Sequence, residues 1–335
     1  MDIKIRQPND FHHHLREGEL LKMTTKECFD RFNYVVVMPN LKIPITSVKM
    51  AINYRNEIIS LNNKGVPLMT LYLCEHIKIS DLMLFKSYNF LIGLKYYPKS
   101  ATTNSDSGIK NLENVFHILK VMESENIPLL IHGESIKKNV DIFHREKVFL
   151  VNELTTIINK FPKLRIVLEH ITTKEAVDFV LKHNIQATIT PHHLLLDRND
   201  MLCNGINPHL YCLPILKKSQ DKEALISAAL SGKPNFFLGT DSAPHLENKK
   251  LSSCGCAGIF NCTVAIEVIT KLFVDNNKLE NLEKFISTNG CDFYKLNYNQ
   301  KYIVIKNENW KVPNEYEGVV PLCVGETMEW KYLIN

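Results

Sequence analysis

The sequence predicts an α/β fold of one particular kind, an eight-stranded parallel β/α (TIM) barrel, and three observations carry that prediction. Eight short apolar runs lie between the N-terminus and Ser242, each of a length that suits a strand buried on both faces. Most are separated by segments whose apolar residues recur at helical spacing, and strand–helix alternation over this length is the signature of such a barrel. No glycine-rich turn follows any of the runs, which argues against an open doubly wound sheet.

The elements follow in order. The first strand opens at Ile3-Lys4-Ile5-Arg6 and leads to Phe11-His12-His13-His14-Leu15-Arg16. In an extended backbone successive side chains point to opposite faces, so His12 and His14 share a face and His13 points away. A helix is expected around 24–32, and the second run, 34–38, ends in Met38-Pro39-Asn40. Val48, Ala51, Ile52, Ile58 and Ile59 recur at helical spacing within 45–61, and strands follow at 67–73 and 90–97. The polar stretch 99–108 has no apolar periodicity and reads as a loop. Leu112, Val115, Phe116, Leu119 and Met122 mark one face of a helix. A strand at 128–133, a helix over 142–159 and a strand at 164–170 come next. Thr172 and Glu175 fit a capping box that opens another helix. The strand at 186–191 leads into an irregular stretch through Leu216. A helix over 221–230 ends at Gly232 as its C-cap, and 235–242 is the eighth strand. Beyond it lie a Cys/Gly-rich loop, helices at 259–273 and 279–288, a short extended piece at 302–305 and a tail. No linker is visible, so residues 1–335 are read as a single barrel domain with a C-terminal helical extension.

Composition excludes several function classes. The chain is 45% hydrophobic and 23% charged, an ordinary globular balance with enough apolar material for a large core. The net charge of +4 is small for 335 residues, and no basic stripe with interleaved aromatics is present, so a nucleic-acid partner is not expected. No apolar run approaches membrane-spanning length, and the N-terminus MDIKIRQPND lacks a signal-peptide pattern, so neither a membrane association nor export is expected. Nine cysteines, an odd number at irregular spacing, read as reduced thiols in a cytoplasmic protein.

In a β/α barrel the chemistry sits at the C-terminal ends of the strands. Unusual residues recur there: His12 and His14 after the first strand, Asn40 after the second, Lys95 in the fourth, His132 in the fifth, His170 in the sixth and Asp241 in the eighth. Each has a plain explanation taken alone. A strand-end histidine is more often capped or solvated than a ligand, a lysine there usually snorkels to water, and the aspartate could cap a turn. Four histidines, a lysine and an aspartate converging on one face are hard to explain that way. They make chemical sense as a two-metal hydrolase. His12, His14 and Asp241 supply one metal, and His132 and His170 the other; neutral imidazole suits zinc. Two cations close together need an anionic bridge. A neutral lysine amine can react with CO2 to give a carbamate, and burial near metals favours the neutral amine.

With their neighbours, these residues resemble the dihydroorotase family of the amidohydrolase superfamily, in its shorter class. The resemblance runs through nearly the whole chain and is densest at FHHHLR, VVVMPN, LKYYPKSATTNS, LLIHGE, LEHITTKEA, ATITPHHL, PHLYCLPILK, LGTDSAPH and SSCGCAGIFN. It implies a metal-dependent amidohydrolase barrel with two zinc ions per subunit, bridged by Lys95 as N6-carboxylysine and by a hydroxide. It implies reversible cyclisation of N-carbamoyl-L-aspartate to L-dihydroorotate plus water, in pyrimidine biosynthesis, with Asp241 moving the proton in either direction. By the same resemblance Arg16, Asn40 and His245 bind the substrate carboxylate, Leu213 and Ala257 contact the ring, and Thr102 and Thr103 tip a mobile lid. His132 also reaches substrate, and the assembly is a homodimer acting on a small molecule.

Some features depart from the pattern. His13 stands where the family commonly has an apolar residue, and His192-His193 where Gln-His is usual. The pair is read as satisfied or solvated, with a third metal site as the alternative. Cys254 and Cys256 are read as part of the substrate loop. Two other functions stay open. A hydantoinase-type enzyme takes rings without the carboxylate, which would leave Arg16 without a partner. A non-catalytic scaffold subunit would be expected to have lost ligands.

Overall fold

The computed structural model describes residues 2–203 and 205–333. Its centre is an eight-stranded parallel sheet, in order β2 (Asp10–His13), β3 (Tyr34–Val37), β4 (Val66–Tyr72), β5 (Leu91–Tyr96), β6 (Leu129–His132), β7 (Ile166–Glu169), β8 (Gln186–Ile189) and β9 (Phe236–Leu238). Each strand pairs with its sequence neighbour, the order of a barrel rather than of a doubly wound sheet. The sheet closes on itself between β9 and β2: the Asp241 N–H donates to the His12 carbonyl (2.8 Å) and the His14 N–H to the Ser242 carbonyl (3.1 Å).

The strands are rich in Val, Ile and Leu because both faces are covered. Inside the barrel Phe11, Val36, Leu68, Ile92, Leu130, Val167 and Phe237 form one cluster. Tyr294, from the short helix Asn289–Tyr294, stacks on Phe11 with centroids 5.6 Å apart and plugs the lower mouth. The alternate residues, such as Val35, Val37, Leu129 and Leu168, face the surrounding helices. Helix Val48–Leu61 is N-capped by Ser47, and helix Lys174–His183 by Thr173, whose hydroxyls accept from Met50 and Ala176 N–H groups. A Thr172–Glu175 capping box is not formed there: Thr172 and Thr173 instead donate to the buried carboxylate of Glu146.

Two corrections concern the ends of the chain. The Ile3–Arg6 run does not belong to the barrel. It forms β1 (Asp2–Arg6), which pairs antiparallel with β10 (Tyr302–Lys311), itself paired with β11 (Thr327–Tyr332). Ile3 and Ile5 alternate with exposed residues, the pattern of a sheet covered on one face only. The extended piece at 302–305 is thus the start of a ten-residue strand, the tail contains a further strand, and the C-terminal extension is part sheet rather than helical throughout. Helices Ala265–Asp275 and Asn289–Tyr294 complete the C-terminal part.

Candidate active site

Two local irregularities aim the side chains. Between β2 and β3 the pairing runs Asp10↔Val35 and then His13↔Val37, so three steps on β2 oppose two on β3. The extra residue lets Phe11 face the barrel core while His12 and His14 both reach the upper cavity. In β5 the pairing jumps from Met69↔Leu91 to Thr70↔Gly93. Ile92 lies in the inner cluster, whereas Leu94 and Tyr96 pack against the outer layer, leaving Lys95 to point inward. Gly93 fits this bulge because a Cβ there would lie 2.7 Å from the Pro128 carbonyl.

His12, His14 and Asp241 meet at the barrel mouth. Asp241 Oδ1 lies 3.0 Å from His14 Nε2 and 3.3 Å from His12 Nε2, and the three residues offer ligand atoms within 4.8 Å of one another. The His170 ring centroid is 4.9 Å from that of His12 and 4.8 Å from that of His132. Lys95 is fully buried below, its Nζ 5.3 Å from the Tyr97 ring centroid. Among the described residues, His12 Nε2, His170 Nδ1 and Lys95 Nζ are buried without a hydrogen-bond partner. Unpartnered nitrogens of this kind fit metal ligation through their lone pairs, since a buried polar atom otherwise costs free energy.

The electrostatics agree. Burial lowers the His14 imidazole to about 3 and holds His170 well below its usual range, so both rings keep free lone pairs at neutral pH. Asp241 is held well below the usual carboxylate range: burial opposes ionisation, but His12 and His14 outweigh it. Burial brings Lys95 down to about 8, against the pull of Glu169 and Asp241. The neutral amine is therefore accessible near neutral pH.

Arg16, Asn40, Thr102, Thr103, Leu213 and Ala257 line the same narrow cavity with His12, His14, His132, His170 and Asp241. His245 stands behind this wall. Its Nε2 is 3.0 Å from Arg16 Nη2 and 3.1 Å from the Ala257 carbonyl. One nitrogen cannot accept from the first and donate to the second at once, so the ring serves one partner at a time. Burial first, then Arg16, pushes His245 down to about 3, which keeps it neutral. The 99–108 loop is docked over the cavity: Asn40 Nδ2 donates to the Thr103 carbonyl and Asn104 Nδ2 to the Asn40 carbonyl, both at 3.0 Å.

Sequence reasoning missed several partners. Glu169 Oε2 accepts from His12 Nδ1 at 2.5 Å and from the Thr188 hydroxyl at 2.8 Å, so it fixes the His12 tautomer and frees Nε2. Glu134 does the same for His132, taking its Nε2 at 2.8 Å. The signal was present, as both acids end buried apolar runs beside a named histidine. His13 turns into the barrel wall, donating from Nδ1 to Asp10 Oδ2 at 2.7 Å. His193 is satisfied on both nitrogens, by the Thr190 hydroxyl and the Pro214 carbonyl, while His192 Nδ1 accepts from Asn261.

The chain is similar over its length to known proteins. It is 46% identical to a dihydroorotase of Acaryochloris marina, covering 99% of each chain, and 47% identical to one of Aliivibrio fischeri, covering 98% of each. Among solved structures, a dihydroorotase of Saccharomyces cerevisiae in complex with 5-fluoroorotic acid superposes with a TM-score of 0.93 at 31% identity, covering 99% of this chain and 98% of that one. One from Campylobacter jejuni gives 0.89 at 34%, covering 99% and 97%. An L-hydantoinase of Arthrobacter aurescens gives 0.83 at 11% identity, covering 99% and 83%, which speaks for the barrel alone. No family model matches the sequence. On full-length identity well above what a shared fold produces, the chain belongs to the dihydroorotase family.

Proposed function

We infer that the chain catalyses the reversible cyclisation of N-carbamoyl-L-aspartate to L-dihydroorotate plus water, the dihydroorotase step of pyrimidine biosynthesis. The observation that carries this reading is the convergence of a histidine–aspartate cluster and an arginine on one cavity, with Lys95 fully buried nearby, in a chain with close full-length relatives of that activity. His12, His14 and Asp241 would hold one zinc, His132 and His170 a second, with Lys95 as N6-carboxylysine between them. When bound, the metals supply a polarised amide carbonyl and a water of lowered pKa.

The residues of the chain do the rest. Lys95 can present a carboxylate only after its neutral amine takes up CO2 and releases a proton, which its burial favours. Glu169 and Glu134 orient His12 and His132. Arg16 spends Nε on the Pro244 carbonyl at 3.1 Å and one Nη2 hydrogen toward His245, leaving three of its five donors for the ring carboxylate. Asn40 stands beside it on the cavity wall, and of its two Nδ2 hydrogens one donates to the Thr103 carbonyl, leaving the other for the carboxylate. In hydrolysis the ring amide C–N bond breaks and a C–O bond forms. Asp241 takes the proton of the attacking water and delivers it to the departing ring nitrogen; in cyclisation it works in reverse. Thr102 and Thr103 exclude bulk water from above.

A hydantoinase-type activity is disfavoured because it leaves the Arg16 guanidinium without a use. The test is direct. Zinc-loaded protein is mixed with dihydroorotate and ring absorbance is followed; no loss, with two zinc ions per chain confirmed, would overturn the reading. The resemblance further implies a single catalytic unit over 1–335, acting as a homodimer in the cytoplasm. No helix of the described residues is long and apolar enough to cross a membrane. Light scattering on the purified chain tests the dimer.

A further inference from the structure

Lys250 closes the short helix Glu247–Lys250, and its side chain is 4% exposed. Its Nζ lies 2.8 Å from the Tyr211 carbonyl, 2.9 Å from that of Cys256 and 2.9 Å from that of Gly258. An ammonium has three donors, so all are engaged, each by a backbone oxygen. These oxygens belong to two segments far apart in sequence. Tyr211 precedes Leu213 by two residues, and Cys256 and Gly258 flank Ala257. Leu213 and Ala257 both line the cavity. One direct bond also joins the segments, from the Gly258 N–H to the Tyr211 carbonyl at 3.0 Å.

A cation is a costly way to tie two loops. Burial pushes Lys250 down to about 8, and Arg16 nearby adds to the repulsion. Where stability alone is at stake, buried charges are often replaceable by apolar residues without loss. The arrangement gains something specific to this place. One side-chain atom gathers three carbonyls from two segments and reinforces the single backbone bond between them, and its charge adds positive potential beside Arg16 and His245, where an anion would sit.

We propose that Lys250 is a positioning residue, knotting the Tyr211–Leu213 and Cys256–Gly258 segments so that Leu213 and Ala257 present their backbone groups to the substrate ring at a set distance. It does not itself touch substrate. The proposal rests on the reading of Leu213 and Ala257 as ring contacts.

Lys250→Met removes the donors and keeps the apolar stem. The expected result is a KM for dihydroorotate raised about tenfold or more, with kcat within about threefold of wild type and two zinc ions per chain retained. Lys250→Arg, which keeps the charge and several donors, should recover part of the KM. An unchanged KM, with any loss confined to kcat and thermal stability, would mean a merely structural lysine and would overturn the proposal. If Lys250→Met does not fold, hydrogen exchange on the wild-type protein decides. Amides of 208–216 and 254–258 should open together and gain protection together when dihydroorotate binds; independent exchange of the two segments overturns it. A wild-type chain inactive on dihydroorotate would sink the functional reading, whereas joint opening in the ligand-free protein would still stand.

Discussion

Arg16→Met is the perturbation that best separates substrate recognition from metal chemistry. Arg16 is half-buried at the cavity wall, with its φ of 64° in the left-handed region, and Leu15 behind it is fully buried. The backbone is thereby held so that the guanidinium turns inward, anchored by the Pro244 carbonyl and facing His245. Removing one partner of a hydrogen-bonded charge pair costs about 2–5 kcal/mol, and because this group keeps some contact with water the lower half of that range applies. About 3 kcal/mol corresponds to roughly 150-fold in kcat/KM. Methionine preserves much of the stem's packing, so stability and zinc content should hold. The loss should fall mainly on KM, since the carboxylate is bound alike in ground and transition states. The assay follows ring absorbance with dihydroorotate and, in parallel, with dihydrouracil, which lacks the carboxylate. Activity on the uncharged ring, however low, should change less than about threefold on this argument. An equal loss on both rings, or a loss under about fivefold on dihydroorotate, would refute the pairing of Arg16 with the carboxylate.

Other expectations follow from the same geometry. Lys95→Ala should lose activity by on the order of 10³-fold or more and hold fewer than two zinc ions, with partial rescue by added short carboxylates; full activity in this variant would sink the bridging role. Glu169→Gln leaves His12 without its charged partner and should weaken zinc binding about 10–100-fold, measured by competition with a chelator. Gly239→Ala would set a Cβ 2.8 Å from both His12 Cβ and Thr188 Cβ. It should destabilise the fold by about 1–3 kcal/mol in denaturant titration. Exhaustive chelation should abolish activity and lower the melting temperature, with both restored by zinc; a stability indifferent to zinc would argue against a site built from His12, His14 and Asp241.

The barrel was legible because each strand is a short apolar run ended by a turn residue, and the site because its polar residues stand at one end of those runs. What could not be read depends on contacts between distant segments. Ile3–Arg6 is a good strand on its own terms, and only its partners Tyr302–Lys306 take it out of the barrel. Simple alternation along FLIGLKYY cannot say whether Lys95 points in, because the answer turns on the extra residue at Ile92; Gly93 was the local clue. Glu169, Glu134 and Lys250 act on residues named from sequence, but a hydrogen bond between side chains or loops leaves no periodic trace. His13 was legible as turned away and not as engaged, since its partner Asp10 lies three residues back while Thr240 comes from the other end of the barrel.

That engagement bears on how the barrel closes. β9 is three residues long, and across the seam to β2 the backbone bonds number few: Asp241 to His12 and His14 to Ser242. Below them the fully buried Asp10 carboxylate gathers four donors. Oδ1 accepts the His12 N–H at 3.1 Å and the Thr240 N–H at 2.8 Å; Oδ2 accepts the Thr240 hydroxyl at 2.5 Å and His13 Nδ1 at 2.7 Å. Donors from both strands thus converge on one anion, and a histidine at position 13 adds one that an apolar residue could not. The seam also holds Asp241, at φ 47°, in a conformation that costs a non-glycine residue on the order of 1–3 kcal/mol. It persists because the backbone bonds on either side leave it no alternative. The candidate ligands divide across this same line, His12 and His14 on β2 and just beyond it, Asp241 just after β9. A cation shared among them would be a further cross-strand tie at the weakest joint of the barrel. Metal binding and closure of the seam would then draw on one free energy, each stabilising the other.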